Sequence, residues 1–134
     1  MLVLEYQIPL NTLDSQYQHL HHARALEFLE RCRLELLERI GHSSASLIEQ
    51  DLYPVVTRIE VEYRREIKGG PITVSCESGE VSGKRMYIKQ RILNERGKPA
   101  VEAFIECAFL QGASKRAVPV PVAVRVALEQ FFHQ

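Results

Sequence analysis

Residues 14–40 read DSQYQHLHHARALEFLERCRLELLERI, a polar, histidine-rich run that passes without a break into an apolar periodicity. From His22 to Ile40 the residues Ala25, Phe28, Leu29, Cys32, Leu36, Leu37 and Ile40 recur at intervals of three and four. That spacing puts side chains on one face of an α-helix. Glu27 precedes Arg31 by four positions, and Glu35 precedes Arg39 by four, the acid-first order that favours ion pairs on a solvated helix face. Gly41 supplies the C-terminal stop. The pattern predicts a helix of about five turns. A helix of this kind can hide its apolar stripe only against another apolar surface, so the rest of the chain must supply one.

Downstream, four segments alternate with the period of a strand. Thr57, Ile59, Val61 and Tyr63 interleave with Arg58, Glu60, Glu62 and Arg64, and Ile72, Val74 and Cys76 with Thr73, Ser75 and Glu77. Met86, Ile88 and Ile92 define the third segment; Val101, Ala103, Ile105, Cys107 and Phe109 define the fourth. Lys68-Gly69-Gly70-Pro71, Ser82-Gly83 and Asn94-Glu95-Arg96-Gly97 read as the turns between them. Short turns in series predict an antiparallel meander, and alternation predicts one buried face. Upstream, residues 2–9 read as a short strand closed by Pro9, and the serine-rich His42–Gln50 reads as a loop. Val118-Pro119-Val120-Pro121 is extended, and Pro121 opens a short terminal helix through Val124, Leu128 and Phe131. No repeat, low-complexity tract or linker divides residues 1–134. The expectation is one α+β domain, an antiparallel sheet against one long helix.

Composition narrows the function classes. Of 134 residues, 46% are apolar and 25% charged, with 17 basic and 17 acidic side chains. Zero net charge lacks the basic footprint of a nucleic-acid binder, gives no reason to expect an anionic membrane, and favours self-association. Met1-Leu2-Val3-Leu4-Glu5-Tyr6 has no basic lead and is interrupted by Glu5, so no signal peptide is expected. No run of ~18 apolar residues predicts a membrane span. Cys32, Cys76 and Cys107 are odd in number and fall in helix and strand patterns. They read as buried free thiols, which fits a cytoplasmic location.

The chemistry concentrates where the loop meets the helix. Asp14 is the only carboxylate between Glu5 and Glu27, and a carboxylate can act as base or nucleophile. A helix start offers unpaired N–H groups and the positive end of a dipole. Together they suit attack at a carbonyl carbon, where a developing oxyanion needs nearby donors. The same residues also fit a turn-forming Asp and a hydrated helix start. His19-Leu20-His21-His22 resembles a metal tract. It lacks a Cys-x-x-Cys, a His-Glu-x-x-His or a third-ligand spacing, so no metal is expected.

The order of elements, with these residues, resembles the hotdog-fold thioesterases of the 4-hydroxybenzoyl-CoA thioesterase-like superfamily. Many members carry Asp-x-x-Gly-His-Val-Asn-Asn-Ala-x-Tyr-Leu-x-Tyr-Leu-Glu-x-Ala-Arg in the first loop and helix. Asp14, His19-Leu20, Ala23, Leu26-Glu27-Phe28-Leu29-Glu30 and Arg33 follow that pattern. One extra residue separates Asp14 from His19. Gln18 replaces Gly, His21-His22 replaces Asn-Asn, and Ala25 replaces Tyr. Val61-Glu62-Tyr63-Arg64-Arg65-Glu66 is similar to a strand of the plant acyl-ACP thioesterases, and Gln18-His19 to that branch's Gln-His.

The resemblance implies a single hotdog domain over residues 1–134, its curved sheet wrapped around one long central helix with a short C-terminal helix. It implies hydrolysis of an acyl-CoA or acyl-carrier-protein thioester without a cofactor, in a homodimer or homotetramer. Asp14 is then nucleophile or general base, and the backbone amides of His21 and His22 are the oxyanion donors. His19 is a residue that orients Asp14 or the attacking water, or else holds the loop. Glu66 is a catalytic candidate, or else a strand-end carboxylate paired with a neighbouring cation. Arg64, Arg65, Lys84, Arg85, Lys115 and Arg116 fit either a phosphate-binding role or a solvated face. A hotdog dehydratase would need a proline in its site motif, and residues 14–22 contain none. The alternative from another class is a non-catalytic hotdog module that binds acyl groups or carrier protein.

Overall fold

In the computed structural model, which describes residues 1–9, 13 and 20–133, the periodic segment forms helix α1, His22–Arg39. It buries Ala25, Phe28, Leu29, Cys32, Leu36 and Leu37, the apolar stripe that the spacing predicts. The helix ends in a Schellman turn: Gly41 at φ +82° lets His42 N–H donate to Leu37 O at 3.0 Å and Gly41 N–H to Glu38 O at 3.1 Å. Arg39 pairs with Glu35 at 2.9 Å as expected, but Glu27 pairs with Arg24 at 2.8 Å. Arg31 lies instead over the Tyr6 ring at 4.5 Å, a cation on an aromatic face that ties α1 to the first strand.

The opposing surface is a six-stranded antiparallel sheet. Its strands are β1 (Leu2–Gln7), β2 (Leu52–Tyr63), β3 (Pro71–Ser82), β4 (Arg85–Leu93), β5 (Pro99–Gln111) and β6 (Arg116–Val118). Their order is β1-β3-β4-β5-β2, and β6 pairs with the end of β5. Val74, Cys76, Ile88, Ile92, Val101 and Ile105 are buried against α1 in one core cluster. The strands run longer than the alternation indicates, and β2 contains Pro54, which an edge strand tolerates. The three thiols are free and buried, with Cys32 Sγ and Cys76 Sγ 3.6 Å apart.

Two expectations need correction. The turns at 82–85 and 94–97 are hairpins, the second organised by Asn94 Oδ1, which accepts from Arg96 N–H and Lys98 N–H at 3.0 Å each. Lys68-Gly69-Gly70-Pro71 is not a hairpin. β2 pairs with β5 at the far edge, so residues 64–70 cross the end of the sheet to reach β3. The serine-rich stretch is not all loop either: Ser44–Glu49 is a short helix, α2, with Leu47 buried beneath it. The serines that suggested a loop supply its cap, Ser43 Oγ accepting from Ser46 N–H at 3.1 Å.

Helix α3 (Val122–Phe132) follows Pro121 as predicted and buries Val124 and Leu128. It lies across β3 at Gly79, where a Cβ would come within 2.7 Å of Phe132 Cε2 and 3.1 Å of Leu128. Gly79→Ala is therefore expected to destabilise the protein by roughly 1–3 kcal/mol, the usual cost of overpacking. In urea denaturation, adding Phe132→Ala should recover part of that loss. An unchanged midpoint in Gly79→Ala would show that α3 docks loosely.

Candidate active site

The crossover that replaces the expected hairpin builds a cleft at the start of α1. Arg64 N–H and Arg65 N–H both donate to Ala100 O, at 2.7 and 3.2 Å, and the Arg65 guanidinium donates to Pro99 O at 2.7 Å. Leu20 N–H donates to Ile67 O at 2.6 Å, joining the chain just before α1 to the crossover. Leu20 also forms an antiparallel bridge with Leu13. Between these contacts lies a cleft of about 460 Å³, lined by Leu20, His21, His22 and Ala25 on one side and by Tyr63 to Ile67 with Val101 on the other.

His21 is the N-cap of α1: its Nδ1 accepts from Ala23 N–H at 3.2 Å. Its carbonyl accepts from Arg24 N–H and Ala25 N–H, at 2.9 and 3.3 Å. The first turn carries no acidic residue, so no side chain there neutralises the positive end of the helix dipole. Among the described residues, the N–H groups of His21 and His22 meet no acceptor. Tyr63 completes this corner. Its hydroxyl donates to His22 O at 3.0 Å, and its ring stands edge-on to the His22 ring at 6.0 Å. Burial pushes the Tyr63 phenol above its ordinary pKa, so it stays a donor at neutral pH.

Three of the five candidates read from sequence, His21, His22 and Glu66, therefore line one cleft. Glu66 is exposed, lies in the crossover beyond the end of β2, and forms no ion pair among the described residues. The pairing with a neighbouring Arg or Lys that its position suggested is not made; Arg64 turns instead to Glu62 and Glu102, at 2.7 and 2.9 Å. Asp14 and His19 lie outside the described residues. Among the described residues no group of His, Cys, Asp and Glu could hold a metal ion, and no helix is long and apolar enough to cross a membrane. Sequence reading missed Tyr63 as a cleft residue. Its signal was its place in the Val61–Glu66 block, three residues before Glu66.

A family model of the thioesterase-like superfamily matches residues 10–128. The long-chain acyl-CoA thioesterase FadM of Escherichia coli K12 is 29% identical over 116 residues, covering 85% of this chain and 87% of FadM. A Thermus thermophilus thioesterase crystallised with coenzyme A and Zn has a TM-score of 0.83 at 22% identity, covering 98% of this chain and 94% of that one. A 1,4-dihydroxy-2-naphthoyl-CoA thioesterase from Synechocystis has a TM-score of 0.88 at 15% identity, covering 98% of each chain. These structural matches give the hotdog fold.

The cap geometry generates a prediction of its own. His21→Ala removes the Nδ1 acceptor and is expected to cost about 1 kcal/mol in chemical denaturation, while His21→Asn or His21→Ser, which restore a capping oxygen, should recover most of it. Equal stability of all three variants would mean that the imidazole does not cap α1.

Proposed function

This chain belongs to the thioesterase-like superfamily, and on that premise we propose that it hydrolyses the thioester bond of an acyl-CoA, releasing a free acid and a thiol. The observation that carries this reading is the start of α1, where the N–H groups of His21 and His22 meet no acceptor among the described residues and border a cleft with no acid in the first helical turn. Oriented N–H donors at the positive end of a dipole are what an oxyanion formed from a thioester carbonyl requires. The donors are main-chain groups, so the replacement of Asn-Asn by His21-His22 leaves the chemistry available.

In this mechanism Asp14 attacks the carbonyl carbon directly or takes a proton from the water that does. The carbonyl oxygen becomes negative against the His21 and His22 amides, the C–S bond breaks, and the thiolate leaves. If Asp14 is the nucleophile, water then hydrolyses the mixed anhydride. His19 orients Asp14 or the water. Glu66, free of a cation partner and on the opposite wall of the cleft, is a second carboxylate within the same site. The bridge between Leu13 and Leu20 supports this assignment, because it brings the two ends of the segment carrying Asp14 and His19 together at the cleft wall. Thiolate is a good leaving group and the thioester carbonyl is already electrophilic, so no cofactor is needed. Coenzyme A is favoured over a carrier protein as the thiol because the relatives named above act on acyl-CoA or hold coenzyme A. Beside Glu66, Arg65, Lys68 and Arg96 outnumber the carboxylates of Glu66 and Glu95 on the adjoining surface, an excess of cations that suits its phosphates.

We take residues 1–134 as one such domain, acting in the cytoplasm as a homodimer or a dimer of dimers. The free edge of β2 supports this. Among the described strands it pairs only with β5, and it exposes Tyr53, Val56, Ile59 and Tyr63, an edge suited to pairing with a second copy. Ile59→Lys is expected to shift the protein toward monomer in light scattering.

Thiol release measured over aliphatic and aromatic acyl-CoA and acyl-carrier substrates tests the catalytic reading. Asp14→Asn is expected to lower turnover by roughly 10²–10⁴ with an unchanged melting temperature. Full turnover of every substrate by Asp14→Asn would overturn the assignment. Tight acyl-CoA binding with no thiol release by the wild type would favour the non-catalytic module.

A further inference from the structure

No buried side chain holds the first turn of α1. His21, His22, Ala23 and Arg24 are all exposed, and burial begins only at Leu20 on one side and Ala25 on the other. A helix end of this kind frays unless hydrogen bonds fix it. The bond from Ala23 N–H to His21 Nδ1 closes within the turn, so it shapes the helix start without fastening it to anything else.

Two hydrogen bonds do fasten it, and they bracket the donors. Leu20 N–H donates to Ile67 O at 2.6 Å, and the Tyr63 hydroxyl donates to His22 O at 3.0 Å. Among the described residues these are the hydrogen bonds that join residues 20–25 to the opposite wall of the cleft. The first lies on the peptide unit before the two that carry the His21 and His22 N–H groups. The second lies on the peptide unit after them. Tyr63 is itself firmly placed. It pairs with Val101 of β5, and the next residue donates from Arg64 N–H to Ala100 O at 2.7 Å.

We propose that Tyr63 is a positioning residue: its hydroxyl holds the start of α1 against the end of β2, and so keeps the His21 and His22 amides aimed into the cleft. Donors stabilise a developing oxyanion most when they need no reorganisation as the charge appears. The benefit therefore falls on the transition state and not on ground-state binding. A second copy seated on the edge of β2 would cover the Tyr63 ring without displacing this bond, because the hydroxyl's one proton is already given to His22 O. That the held amides serve an oxyanion rests on the thioesterase reading; that Tyr63 holds them does not.

Tyr63→Phe keeps the ring and removes the bond, and two measurements on the full chain read the result. Amide hydrogen exchange at Arg24 and Ala25, whose N–H groups donate to His21 O, is expected to quicken roughly two- to tenfold, the scale of one hydrogen bond. Exchange at Leu29 and Cys32, buried in the middle of α1, is expected to stay the same. With an acyl-CoA that the wild type cleaves, kcat should fall by roughly the same two- to tenfold factor, with KM, melting temperature and the mass in light scattering unchanged. Exchange at Arg24 and Ala25 that does not respond overturns the proposal. So does a loss of activity that appears in KM alone, or one that follows a change in melting temperature or mass. Faster exchange in a protein that cleaves no thioester would remove the catalytic reading and leave Tyr63 as the residue that holds the two amides.

Discussion

The burial of one helix face governs the rest of this structure. Removing Phe28, Leu29, Leu36 and Leu37 from water contributes roughly 1.5–3 kcal/mol for each side chain. That gain is available only if a sheet presents an apolar surface as long as α1. The chain meets the requirement with β3, β4 and β5, which follow one another through two hairpins. With those strands beneath the helix, the segment leaving α1 by way of α2 enters the sheet at its outer edge, beside β5. The strand that comes first after the helix is therefore the last in the sheet. Residues 64–70 must then cross from one side of the sheet toward the other.

That crossover turns a folding constraint into a site. It passes the start of α1 and is fastened there by the hydrogen bond from Leu20 to Ile67 and by the pair of bonds to Ala100. Glu66 and Tyr63 are distant from His22 in sequence, yet they face it across one cleft. Among the described residues, the walls of the cleft stand on the ends of regular elements. Tyr63 ends a strand, His21 caps a helix, and the crossover between them is held by main-chain bonds. A site mounted on element ends in this way keeps its donors at fixed positions, as electrostatic stabilisation of a developing charge demands.

Much of this was legible in the sequence because it rests on local patterning. The helix, its glycine stop and the two true hairpins follow from periodicity and turn chemistry, and these are satisfied wherever the segment lies in the fold. The misreadings share a cause. Lys68-Gly69-Gly70-Pro71 has the composition of a turn, but composition cannot say whether the strands on either side are neighbours; that is settled by α1 covering the intervening strands. Ser43 to Ser46 look like a loop because serine competes with helical hydrogen bonding, and the same property makes Ser43 a cap. Glu27 and Arg31 have ideal spacing, yet the Tyr6 ring, brought near by β1, draws Arg31 away. In the site, His21, His22 and Glu66 were legible through the resemblance of two short motifs. Tyr63 was not, because its hydrogen bond to His22 O joins positions that only the crossover brings together.

What a polar group borders, rather than whether all its hydrogen bonds are made, distinguishes the polar groups of this fold. Arg91, half-buried in the sheet, lies between Glu77 and Glu102, with contacts of 3.4 Å to each. Asn94 organises its own turn, and Gln90 is bonded through both ends of its amide. Of these three, only Gln90 has every polar atom of its side chain bonded; Arg91 Nε and Asn94 Nδ2 are buried with no hydrogen-bond partner among the described residues. The start of α1 at His21 and His22 and the guanidinium of Arg33 each border a cleft instead. All three belong to the helix whose burial organises the chain. The polar start of α1 faces the crossover and the charged middle faces β2, so one element borders two clefts of different character. The first offers neutral N–H dipoles, suited to charge that appears only during a reaction. The second sets the Arg33 guanidinium and the Glu30 carboxylate on one wall.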